Sequence, residues 1–71
     1  MMKVSRTDMM QRVADEGVSP RKVARLADVH DNSVYHIFNS DTELVPIQFK
    51  TVVRLAKYFG CSVNELVVEE K

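Results

Sequence analysis

Residues 19–39 read SPRKVARLADVHDNSVYHIFN, and their spacing decides the fold. Ser19 is a good N-cap and Pro20 suits a first helical position, where its missing N–H costs nothing. The helix they open runs to about Ala27, with Val23, Ala24 and Ala27 on its inner face. Asp28 marks a turn. A second helix follows at about 31–39, with Val34, Ile37 and Phe38 turned inward. Its cap is either His30 or Asp31, of which Asp is chemically the better. Two short helices crossing steeply need a small side chain where they touch and branched apolar residues around it. Ala24, Val29, Val34 and Ile37 meet that need, which is the pattern of a helix-turn-helix.

Outward from this stretch, helical periodicity continues in both directions. A helix at about 6–16 carries Met9 and Val13 on one stripe, with Met10 and Ala14 at its edge. Ser5 can cap it, Asp8 complements its N-terminal N–H groups, and Gly17 can end it in a left-handed turn. Ser40–Pro46 reads as a loop by its polar start and its proline, with an extended pair at Leu44 and Val45. A fourth helix, about 47–59, has a broad apolar face of Phe49, Val52, Val53, Leu55, Ala56 and Phe59, and Gly60 ends it. Ser62 caps a short fifth helix, Glu65 completes a capping box, and Val63 and Leu66 turn inward. The tail from Val67 to Lys71 either frays or joins a dimer contact. The expectation is one all-α domain of five helices spanning 1–71.

Composition narrows the function. Seventy-one residues, 45 % of them apolar, support one small core but not an enclosed substrate pocket as well. No nucleophile–base–acid set, glycine-rich phosphate loop or metal cluster is visible, so an enzyme and a bound cofactor are not expected. Cys61 is the only cysteine, which excludes an internal disulfide and a four-cysteine zinc site; it reads as a small, half-buried hydrophobe. His30 and His36 are too far around a helix to share a metal. No apolar run approaches membrane-spanning length, and MMKVSRTD lacks the apolar centre of a signal peptide, so the expected location is cytoplasmic.

Two blocks, SPRKVARLADV followed by the helix bearing Val34 and Ile37, and TVVRLAKYFGCSVNELV at 51–67, resemble the lambda-repressor-like, Cro-type (XRE) helix-turn-helix family. The second block matches the family's ending: a Thr, an apolar pair, Leu-Ala-Lys, an apolar residue, Gly, then a Ser-capped helix ending in Glu-Leu. The resemblance implies a compact five-helix fold whose second and third helices form the helix-turn-helix. It implies a repressor that binds double-stranded operator DNA, usually as a homodimer, and reads it with the third helix. Position by position, it implies a base-reading set of His30, Asp31, Asn32, Tyr35 and His36. It places Ser19, Asn39 and Ser40 at phosphate-contacting positions, and sets Arg21, Lys22 and Arg25 beside a phosphate strand. Three departures stand out. Asp28 replaces the usual turn glycine; Val13 and Phe38 replace an Arg–Glu pair, which makes Phe38 a core residue; and the loop after the third helix carries Asp41 and Glu43.

The chemistry of these residues fits unevenly. The Asn32 amide can pair with adenine N6 and N7, and His36 can donate to a guanine acceptor. Tyr35 can reach a phosphate or a thymine methyl. Asp31 repels phosphates and suits only a cytosine amine, so helix capping is its favoured role. The ten basic and ten acidic residues cancel, but residues 19–60 hold six basic and four acidic side chains and residues 61–71 one and three. Lys50, Arg54 and Lys57 read as a solvated face of the fourth helix. Few phosphate contacts per monomer make dimerisation important, and Tyr58, Val63, Val67 and Val68 either serve it or close the monomer's own core. The alternative function is a protein-interaction module on the same fold, an antirepressor or repressor-binding partner.

Overall fold

The computed structural model describes residues 2–68. Its elements follow the local signals of the chain closely. Helix α1 (Arg6–Glu16) begins where the Ser5 hydroxyl accepts from the Asp8 N–H at 3.1 Å and ends at Gly17, in the left-handed region at φ 71°. Helix α2 (Pro20–Ala27) begins where Ser19 accepts from the Lys22 N–H, and α3 (Asp31–Phe38) follows after a turn. Helix α4 (Phe49–Phe59) stops at Gly60, φ 73°, and α5 (Val63–Leu66) opens where the Ser62 hydroxyl accepts from the Glu65 N–H.

The expected all-α class is overturned by a two-stranded antiparallel sheet. Strand β1 (Met2–Ser5) pairs with β2 (Leu44–Ile47) in the register Met2↔Ile47, Lys3↔Pro46, Val4↔Val45 and Ser5↔Leu44. The fold is therefore five helices plus a small sheet. The extended pair at Leu44 and Val45 is the first half of a longer strand, and Ile47 belongs to that strand instead of opening α4. Hydrogen bonding explains how Pro46 is tolerated. The Arg6 N–H donates to the Glu43 carbonyl at 2.7 Å, and alternation along the ladder makes Val4↔Val45 a hydrogen-bonded pair. Lys3↔Pro46 is then non-bonded, so the missing N–H of Pro46 falls on the open edge. Lys3 points its carbonyl the other way, where it accepts from the Val68 N–H at 2.9 Å, and Val4 bridges to Val67.

The core lies where the sheet meets the helices. Val4, Met9, Val23, Ile37, Val45 and Leu55 are fully buried within it. The α1 stripe is narrower than expected, since Met10 and Ala14 are exposed, and on α4 both Phe49 and Val53 face outward. Phe38 packs half-buried against the core, and Val13 is buried within it. Cys61 is also half-buried against the core, with the Arg12 guanidinium 3.6 Å from its sulfur. Tyr58, Val63 and Val67 pack on the same core, which is the core-closing alternative for these residues. Among the described residues no helix is long and apolar enough to cross a membrane.

Candidate nucleic-acid interface

The α2–α3 unit is held by its backbone. Asp28 sits at φ 60° and ψ 43°, the left-handed conformation that the turn demands and that Asp accepts better than most residues. Its N–H donates to the Arg25 carbonyl, and the Val29 N–H donates to the Ala24 carbonyl at 2.9 Å. Ala24 is 1 % exposed, and its lack of a longer side chain lets α3 approach α2. On the other side, the Arg54 guanidinium on α4 donates to the Asp28 carbonyl at 2.9 Å, so the turn is braced from a third helix.

Capping differs from expectation. His30, not Asp31, is the N-cap of α3: its Nδ1 accepts from the Asn32 N–H at 3.4 Å. The turn fixes residue 30 at φ −69° and ψ 138°, the extended conformation a cap requires, and leaves Asp31 as the first helical residue. Freed from capping, the Asp31 carboxylate lies 3.9 Å from Arg21 Nε and 3.3 Å from His30 Nδ1. An Nδ1 that accepts from Asn32 has no proton for Asp31, so the second approach becomes an ion pair only when His30 is protonated, and protonation removes the cap.

Two concavities flank the start of α3. A cleft of about 620 Å³ runs between α2 and the turn, and six of the sequence-predicted residues line it: Ser19, Arg21, Lys22, Arg25, His30 and Asp31. Ala24 and Val29 add apolar surface, and Asp28 adds a second carboxylate. A notch of about 300 Å³ on the other side holds Asn32 and His36 together with Ser33, Gln48 and Thr51. Tyr35 lies in neither, but is 39 % exposed on the outer face of α3. Asn39 and Ser40 also stand apart. The Asn39 N–H ends α3 by donating to the Tyr35 carbonyl, and the Ser40 hydroxyl is committed to a local turn with Thr42. Gln48 and Thr51 escape the sequence reading because they precede and begin a helix whose apolar pattern dominates. The one available signal is that Gln48 caps α4 without a side-chain hydrogen bond, leaving its amide uncommitted.

Charge is segregated in spite of its zero sum. Helices α2 and α4 contain Arg21, Lys22, Arg25, Lys50, Arg54 and Lys57 and no acidic residue. The loop carboxylate of Glu43, expected to oppose a polyanion, stays exposed but is tied to the start of α1. It accepts from the Ser5 hydroxyl, from the Thr7 N–H at 3.2 Å and from the Thr7 hydroxyl at 2.6 Å. The Ser5 hydroxyl first, and the Thr7 donors after it, hold this carboxyl below the usual carboxylate range. Glu43 is thus an accessory cap of α1. No group of three or more His, Cys, Asp or Glu side chains able to hold a metal occurs among the described residues. Protein-family models, curated proteins and solved structures offer no match to this chain.

Proposed function

We propose that the chain is a small DNA-binding transcriptional regulator, a Cro-type repressor that reads operator DNA with α3 in the cytoplasm. The observation that carries this reading is the braced α2–α3 turn, with a cation-lined cleft on one side of α3 and exposed polar side chains on its outer face. Arg21, Lys22 and Arg25 neutralise phosphates, with Ser19 beside them at the start of α2. Asn32 pairs with an adenine edge, His36 donates to a guanine, and Tyr35 meets a thymine methyl or a phosphate. Asn39 and Ser40 take the strand beyond α3, Ser40 after release from its local turn. His30 and Asp31 act at the entry of α3, where Asp31 accepts only from a cytosine amine. Two copies on a twofold-related site supply the affinity a single copy lacks. The resemblance to the Cro-type family supports the same reading.

The test is selection of duplexes from a random pool at low and moderate salt. The expected result is an enriched palindrome whose binding weakens steeply with salt. Asn32→Ala relaxes preference at one position, and Arg21→Ala weakens all sequences alike. No enriched site and no salt-sensitive binding to any duplex would overturn the proposal. The proximity of Asp31 to Arg21 favours a second reading, a protein-interaction module such as an antirepressor, because it offsets a cation that DNA binding needs. That reading predicts a chain that binds a repressor and ignores duplexes.

A further inference from the structure

The outer face of α4 has a composition that its own packing does not require. Val52, Leu55 and Ala56 supply the buried side of this helix. At about 100° per residue, Phe49, Val53, Lys57 and Lys50 fall in one sector about 100° wide that starts beside Ala56 and turns away from the buried side, and all four are exposed. Phe49 is 57 % exposed, more than any other large hydrophobic side chain among the described residues, and Val53 lies one turn along from it. Among the described residues, neither Lys50 nor Lys57 has an ion-pair or side-chain hydrogen-bond partner. The third cation of the helix, Arg54, is turned to the Asp28 carbonyl. The face is an apolar pair edged by two free ammonium groups, on a helix with no carboxylate.

We propose that this face docks an acidic amphipathic segment of another protein, which seats an apolar side chain on Phe49 and Val53 and sets carboxylates against Lys50 and Lys57. The charge pattern selects this occupant over the others. A twofold pairing of α4 with a second copy sets lysines against lysines at both ends of the contact, and like charges disfavour it. A lipid surface demands a longer apolar stripe than two side chains on an 11-residue helix. A duplex backbone offers the Phe49 ring no apolar surface. The proposal is separate from DNA reading, since none of these four residues lines the α2–α3 cleft or the notch beside α3.

The experiment titrates the full chain with a helical probe peptide of leucine and glutamate, and in parallel with the same peptide carrying lysine for glutamate, following backbone amides by NMR. The expected result is that the glutamate peptide alone binds, shifts amides of α4, and is weakened by salt. Phe49→Ser weakens it about tenfold or more. The double variant Lys50→Glu, Lys57→Glu exchanges the preference in favour of the lysine peptide. Met10→Ser, which removes an exposed apolar residue on α1, leaves binding intact. Circular dichroism and thermal midpoints stay level across the variants, because these side chains lie outside the core. Equal binding of both peptides, absence of binding, or indifference to the α4 variants overturns the proposal. So do α4 shifts that follow self-association of the chain, and preferential capture of α4 by anionic vesicles or duplex DNA.

Discussion

Asp28 combines two roles at one residue. Its backbone supplies the left-handed turn and the carbonyl that Arg54 grips, while its side chain adds negative charge to the cleft. Asp28→Gly keeps the backbone geometry and removes the Cβ penalty, so it should raise stability in urea unfolding by up to ~1 kcal/mol; Asp28→Ala should lower it by about the same. The second residue of consequence is Asp31. The Arg21 side chain is 80 % exposed, so its 3.9 Å approach to Asp31 adds little to stability. On the DNA-binding proposal its effect belongs to binding: Asp31→Asn frees Arg21, and should tighten duplex binding and increase the salt slope by about one counterion. Unchanged affinity and slope in a fluorescence-anisotropy titration would show that Arg21 meets no phosphate.

Elements differ in how far local chemistry specifies them. Helices α1, α2 and α5 start at the serines expected of them because a cap is a short-range event: one hydroxyl accepts from an N–H three residues on. The α3 cap eluded that logic, since the turn geometry put His30, and not the better-suited Asp31, at the extended position. Helix α1 also shows a cap that no local pattern reveals, because Glu43 reaches its first turn from the far side of α3. The depressed Glu43 pKa has a definite sign in stability. Its contribution is fully present above the ordinary glutamate range and is lost as pH falls through the lower folded value. Urea midpoints should therefore decline in acid, and Glu43→Gln should lower the midpoint at neutral pH while flattening that decline. A variant with the wild-type acid profile would mean that other carboxylates control it.

At the scale of the whole molecule, the sheet is what the sequence concealed. Only Val4 of β1 is fully buried, and its partners Val45 and Val67 stand far along the chain with no hairpin turn to announce them. The helix-turn-helix was legible because its contacts are near in sequence and its small residue, Ala24, sits at the contact. The uncommitted Gln48 and Thr51 beside α3 were not, because only tertiary packing brings them to Asn32 and His36. Val4→Ala should cost about 2 kcal/mol in urea unfolding, as a cavity where β1, β2 and the tail meet. It should leave duplex affinity of the folded fraction unchanged. The position of β1 between β2 and Val67–Val68 also sets an order of events during synthesis. The α2–α3 unit can collapse as soon as it leaves the ribosome, whereas β1 must wait, paired on neither side, until β2 emerges and then until the last described residues follow. A nascent chain paused before Val67 would carry the α2–α3 unit on an unfinished body, with one sheet edge still open to wrong partners.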